Sequence, residues 1–241
     1  MKSISLLAAV ASAVMFAAPA HAGEVRVNPK AVVELFTSQG CSSCPKADAL
    51  FSELGRRDDL IALAWHVDYW DYIGWPDTFA QPDNAERQRA YAEAWGSSRI
   101  YTPQLIVNGA KGVVGSREKD VTSAIDEAAL TIPVALTVSA DMLEVNVGPH
   151  AGGTEAVVWL ITFRDHAAVV IERGENAGKT VDYAQIVTGK QMLGMWDAAG
   201  THLKLPLSEL TADGSNGAVI LVQSDKGGLP GPILGAAQVQ L

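Results

Sequence analysis

Only two of the 241 residues are cysteine, Cys41 and Cys44, three positions apart. So few thiols exclude a small disulfide-dense scaffold. A bridge between them closes a very short loop, and the chain-entropy model assigns such a loop only about 2 kcal/mol. A purely structural staple is therefore a weak use of the only two cysteines, and the composition favours chemistry. Basic residues are also scarce. Lys and Arg total 18 against 27 Asp and Glu, a formal net charge of −9, which matches neither nucleic acid nor anionic lipid. Past residue 22 no apolar run is long enough to span a bilayer. What the chain does have is apolar content, 48%, enough for a sizeable core without staples.

The first residues carry Lys2, an apolar run from Ile4 to Ala18, and the small-x-small triplet Ala20-His21-Ala22. This is the layout of a secretory signal peptide cleaved after Ala22. The rival, an N-terminal membrane anchor, needs about 20 apolar residues. The expectation is a periplasmic or secreted protein of about 219 residues after cleavage, with no membrane association.

The run Ala31-Val32-Val33-Glu34-Leu35-Phe36 reads as a buried strand, followed by turn residues 37–40. Cys41-Ser42-Ser43-Cys44-Pro45 opens a helix, with Pro45 suited to its first turn and Ala47, Leu50, Phe51 and Leu54 on its buried face. Residues 60–67 form a second strand. An aromatic stretch, 68–82, leads to a helix capped by Asp83 or Asn84 and ending near Trp95. A strand from Thr102 meets the hairpin signal Asn108-Gly109, residues 113–114 return, and Ser116 caps a last helix. After Pro133 the pattern changes to short strands, 134–139, 143–147, 156–163, 169–173, 181–187, 202–207 and 218–223, as in a β-sandwich. The expected organisation is residues 1–22 as signal, 23–132 as an α/β domain and 133–241 as a β-sandwich-like domain. The alternative is that some late strands pair back onto the first sheet.

Disulfide exchange needs an attacking thiolate and a second thiol to resolve the mixed disulfide. Two cysteines three apart at a helix start meet both needs. Cys41 at the cap faces the free N–H groups of the first turn, which favour its thiolate, and Cys44 lies one turn inside. Lowering a thiol pKa from about 8.5 to about 7 gains roughly 16-fold in thiolate but loses about fivefold in nucleophilicity, so redox poise is the larger consequence. Trp70 and Trp75, with Trp65, Tyr69 and Tyr72, are candidates for a substrate-binding wall or for packing between helix and sheet. His66 suggests an alternative, a copper or zinc site with Cys41 and Cys44. Arg87, Arg89 and Arg99 read as a solvated helix face and loop.

These features resemble the thioredoxin superfamily. The stretches Val32–Asp48, His66–Asp77, Tyr101–Gly109 and Gly174–Tyr183 resemble more closely a family of secreted bacterial thioredoxin-like proteins, domain of unknown function 1223. The resemblance implies a thioredoxin-like fold for residues 23–132. It also implies a cis peptide at Pro103, with the Thr102 backbone beside Cys41 to pair with an extended substrate, and a buried acid, Glu34, relaying a proton to Cys44; the alternative for Glu34 is a side chain at the sheet edge. The sequence departs from thioredoxin in having Gly40 before the first cysteine and Ser42-Ser43 between the pair, and Glu34 precedes Cys41 by seven residues.

The expectation is thus an exported thiol–disulfide oxidoreductase without a cofactor, acting on protein or small-molecule thiols and disulfides. Cys41, Cys44, Pro103 and Glu34 are its catalytic set, and Thr102, Trp70 and Trp75 bind substrate. The alternatives are a copper- or zinc-delivery module and a non-catalytic binding protein with a permanent disulfide.

Overall fold

A computed structural model describes residues 24–150 and 155–241. The expected signal peptide lies outside them. Twelve strands are present among the described residues. The first five are β1 (Glu24–Val27), β2 (Ala31–Thr37), β3 (Leu60–His66), β4 (Gln104–Val107) and β5 (Lys111–Val114), and among them lie helices α1 (Pro45–Gly55) and α2 (Pro82–Ala94). Helix α3 (Glu118–Asp126) leads to β6 (Val134–Ser139), β7 (Met142–Val147), β8 (Ala156–Val170), β9 (Thr180–Met195) and β10 (Thr201–Pro206). The one-turn α4 (Leu207–Leu210) precedes β11 (Gly217–Lys226) and β12 (Leu229–Gln240).

Every residue of β2 and β3 is buried, because these two parallel strands are covered on both faces and read as continuous apolar runs. Strand alternation sorts their side chains. Ala31, Val33, Leu35, Leu60, Ala62 and Ala64 pack with Ala47, Phe51 and Leu54 of α1 and with Val121, Ala124 and Ile125 of α3. Val32, Phe36, Ile61, Leu63 and Trp65 point the other way, toward Ala85 and Tyr91 of α2. Phe51 is 2% exposed, and truncating a buried Phe to Ala costs roughly 3–5 kcal/mol.

Nine strands form one mixed sheet in the order β1-β12-β11-β8-β9-β3-β2-β4-β5, and β10-β7-β6 form a second, smaller sheet. The small sheet packs Val134, Leu136, Leu143 and Val145 against Val158, Leu160, Ile220 and Val239 of the large one. This corrects the expected fold class. Among the described residues the protein is mostly β, and no thioredoxin-like α/β domain stands apart from a β-sandwich. Strand β3 has β2 on one side and, on the other, β9, with Ala64 opposite Ile186 in parallel register. The buried outer edge of β3 needs partners for its backbone groups, and a late strand supplies them. Pairing back onto the first sheet, the alternative left open by the sequence, is the arrangement found.

Three local readings change as well. The segment read as a strand at 156–163 continues through Arg164, Asp165 and His166 to Val170 as one strand, β8, whose outer half is less buried and alternating, and residues 171–173 of the second expected strand lie in the following turn. Strand β12 went unread because Pro230, Gly231, Pro232 and Gly235 resemble loop chemistry, yet Ile233, Ala236, Ala237 and Val239 are core residues. Helix α2 starts at Pro82 after Gln81, not at an Asp83 or Asn84 cap, and α3 is preceded by Arg117 instead of Ser116. The β4–β5 hairpin turns at Asn108 and Gly109, both with positive φ. A Cβ on Gly109 would meet the Gly231 carbonyl at 2.7 Å.

Candidate functional site

Strand β2 ends at Thr37, and the chain turns through residues 38–43 into α1 on the face that carries Val33 and Leu35. Cys41 and Cys44 are bridged in this turn, with Cα atoms 5.4 Å apart. The sequence placed Cys41 at the helix cap. The structure puts Cys44 there, its carbonyl accepting from the Ala47 and Asp48 N–H groups. Pro45 takes the first helical position, where its missing N–H costs no hydrogen bond, and Cys41 falls in the preceding turn. Its N–H bonds Ser38 O, and its carbonyl accepts from Cys44 N–H. Nor is Cys41 exposed: the two cysteines are 2% and 0% accessible.

The peptide bond between Thr102 and Pro103 is cis. The Ser43 hydroxyl donates to Thr102 O at 3.5 Å, and Trp70 Nε1 donates to Thr102 Oγ1 at 2.7 Å. The turn after β5 must come close here. A Cβ on Gly115 would lie 2.9 Å from Leu35 Cδ1, 3.3 Å from Ala47 Cβ and 3.4 Å from Pro103 Cβ. Trp75 Nε1 donates to Gln39 Oε1 at 2.8 Å. Of the aromatics, Trp65 and Tyr91 are core, whereas Tyr72 is 80% exposed and stacks on the half-buried Trp70 with centroids 6.4 Å apart.

Against the cysteine turn packs a buried polar cluster, of which sequence reasoning had singled out only His66, as a metal ligand. Asp48, four residues after Cys44, accepts from Thr37 Oγ1 at 2.7 Å, while its Oδ2 is buried without a partner. Burial pushes its carboxyl up to about 7, opposed by the Thr37 bond and by His66. His66 Nδ1 lies 2.8 Å from Asp77 Oδ2, and His66 Nε2 is also without a partner. Burial works to raise the Asp77 carboxyl, but His66 and the Gln39 and Phe79 N–H groups together hold it below the usual range. Asn176, from the turn between β8 and β9, donates from Nδ2 to both Gln39 O and Cys41 O, each at 2.9 Å. A signal existed for Asp48, a charged residue next to Ala47 on the apolar stripe of α1. Asn176 lies in the stretch Gly174–Tyr183 that carries the family resemblance, but nothing local tied it to Cys41, 135 residues away.

Glu34 is not part of this cluster. It alternates onto the α2 face of β2, where Arg87 Nε donates to its Oε1 at 2.8 Å and Tyr91 Oη donates to its Oε2 at 2.6 Å. Arg87, read as a solvated residue, is 5% exposed. It also donates to Gln223 Oε1 and lies over the Trp65 ring at 4.8 Å. Arg89 pairs with Glu86 at the surface. His66 does point to the α1 face, but its Nδ1 is engaged by Asp77. Among the described residues no three His, Cys, Asp or Glu side chains gather to hold a metal ion.

Residues 32–223 match the family model described as "Protein of unknown function (DUF1223)". The chain belongs to the DUF1223 family. A similar solved structure is the X-ray structure of a protein from Agrobacterium tumefaciens, 35% identical, covering 88% of this chain and 95% of that one with a TM-score of 0.80. No curated protein matches. The match to the DUF1223 model spans both the cysteine turn and the β8–β9 hairpin.

Proposed function

We propose that this DUF1223 protein is an exported thiol–disulfide oxidoreductase whose redox centre is the Cys41–Cys44 pair. The observation that carries the reading is Asp48, a buried acid one helical turn after Cys44 with one oxygen unpartnered. A permanent staple gains nothing from a carboxyl in that position, and leaving a buried polar atom unsatisfied costs about 1–3 kcal/mol. A resolving thiol does gain, because it must lose a proton as it attacks, and a carboxyl titrating near neutrality can take it.

In the reduced protein the Cys41 thiolate attacks a substrate disulfide, forming a mixed disulfide and releasing one substrate thiolate. Asp48 takes the Cys44 proton. Cys44 sulfur then attacks Cys41 sulfur, closing the bridge and releasing the second substrate thiolate. Two electrons pass to the substrate, and the reverse sequence oxidises a dithiol. Trp70 and Tyr72 supply an apolar wall beside Thr102 and Pro103. Export is supported by the Lys2, Ile4–Ala18 and Ala20–Ala22 layout.

The test is exchange with model disulfides. Cys41→Ser abolishes it, and Cys44→Ser accumulates mixed disulfides that mass spectrometry detects. If the wild-type protein shows no exchange and both variants match it, the reading is wrong.

A further inference from the structure

The two cysteines are covered, although Ser42 and Ser43 between them are exposed. Exchange requires a thiolate to reach a bridge sulfur, so something over the bridge must move. The turn 171–179, which joins β8 to β9, packs against the cysteine turn through Asn176. Ala177 N–H bonds Gly174 O, Gly178 N–H bonds Ile171 O and Lys179 N–H bonds Asn176 O, a closed turn that holds Asn176 at 1% exposure. Gly174 and Gly178 have φ of +78° and +80°, and Gly174 packs so closely that a Cβ there would lie 3.3 Å from Trp75 Cβ. Asn176 Nδ2 then spans the Gln39 and Cys41 carbonyls, and Lys179 Nζ donates to its Oδ1 at 2.8 Å.

The turn is the tip of a long hairpin whose anchoring is uneven. Residues 156–163 of β8 pair with β11 on their other side, but His166–Val170 pair only with Ala184–Thr180 of β9. The single β9 register with β3 is at Ile186. Beyond that point the hairpin is a two-stranded ribbon, held by its small cluster of Ile171, Val181 and Tyr183 with Trp75 and Phe79, by Tyr183 against the His66 ring and by Gln185 against Gly55 of α1. A two-stranded ribbon is the least stable kind of sheet, and such segments open locally at a fraction of the cost of global unfolding.

The geometry points to Asn176 as the latch of a gate: the β8–β9 tip closes over the Cys41–Cys44 bridge, and exchange proceeds only when Asn176 releases the Gln39 and Cys41 carbonyls. The gate's use rests on the oxidoreductase reading, but its existence does not. Asn176 is a positioning residue, acting through the cysteine turn.

The experiment follows reduction of the oxidised full chain by dithiothreitol, trapping thiols with an alkylating agent and counting them by mass. It needs no substrate, so its failure is separate from failure of the exchange assay. The wild-type rate is expected to level off with rising dithiothreitol, at the opening rate of the tip. Asn176→Ala and Asn176→Asp, which both lose the donating amide group, raise that plateau at least tenfold. Lys179→Met raises it two- to fivefold. Urea below the unfolding transition leaves the wild-type plateau nearly flat. A rate linear in dithiothreitol with equal slope in wild type and variants overturns the gate. So does a urea dependence as steep as that of global unfolding, which would make exposure of the bridge an unfolding event.

Discussion

Thr37, the last residue of β2, donates its hydroxyl to Asp48 across 2.7 Å and leaves the other Asp48 oxygen bare. This half-satisfied carboxyl couples folding to pH. Its pKa rises from 3.8 to about 7 on folding, so the folded state binds the proton more tightly. The stability this contributes is fully present below about pH 4 and is lost as pH rises through 7. Three units correspond to roughly 4 kcal/mol at most. Asp48→Asn cannot ionise and still accepts from Thr37. Urea unfolding should find the variant more stable than wild type by about 1–3 kcal/mol at pH 8 and within about 1 kcal/mol at pH 4. Equal slopes from pH 4 to 7 in the two proteins would show that Asp48 is not the titrating group. Asp77 acts in a different window. Its depressed pKa gives stability that is lost only as pH falls below the ordinary carboxylate range.

The same substitution separates proton transfer from folding. Asp48→Asn should slow closure of the mixed disulfide at least tenfold at pH 7 in stopped-flow exchange, with the initial attack by Cys41 changed less than twofold. Equal slowing of both steps would point to a distorted turn and not to a lost base.

Glu34 and Arg87 make the contrasting case. Both are buried, at 0% and 5% exposure, and Glu34→Gln leaves the Arg87 charge without its counter-ion. Breaking a buried pair in this way costs about 3–5 kcal/mol, read as a lower urea midpoint. The exchange rate at pH 7 should stay within twofold of wild type, since Glu34 faces α2 and not the cysteines. A large rate loss with unchanged stability would restore Glu34 to the site.

Gly115 is a packing test. Its virtual Cβ lies 2.9 Å from Leu35 Cδ1 and 3.4 Å from Pro103 Cβ, so Gly115→Ala must shift α1, Leu35 or the Pro103 turn. A cost of about 1–3 kcal/mol is expected, together with a measurable change in exchange rate, because the displaced atoms border the cysteine turn. A variant as stable and as active as wild type would mean that the turn yields without strain.

Trp70 bears on substrate. Its indole is anchored on Thr102 and stacks against the exposed Tyr72. Trp70→Ala should lower kcat/KM for a polypeptide disulfide about tenfold, mainly through KM, and leave a small disulfide within twofold. Equal losses for both substrates would make Trp70 a structural support for Thr102.

Local patterns carried the site's outline. The Cys41–Cys44 spacing, Pro45 as a helix start, the apolar runs of β2 and β3 and the Asn108–Gly109 turn each rest on short-range chemistry, and a sequence displays that directly. Arg87 could not be judged this way. Its helix α2 looks amphipathic at best weakly, and besides the nearby Tyr91 hydroxyl it takes the Glu34 carboxylate and Gln223 amide, 53 and 136 residues away, to make a buried guanidinium tolerable. Glu34 was legible as an acid within an apolar strand, but neither its burial nor the face it would take relative to the helix bearing Cys44 was.

The sequence by itself determined that two cysteines meet beside a helix start, because residues three apart are held together by the chain. Tertiary structure alone decided the rest. It paired β9 with β3, because a buried strand edge must find hydrogen-bond partners and no local signal says which strand provides them. It placed Asp48 and His66 beside the cysteine turn by helix and strand periodicity acting across a packed interface. It brought Asn176 onto the Cys41 carbonyl by folding a distant hairpin back over the site. What the cysteines can reach is therefore set by contacts that no window of sequence contains.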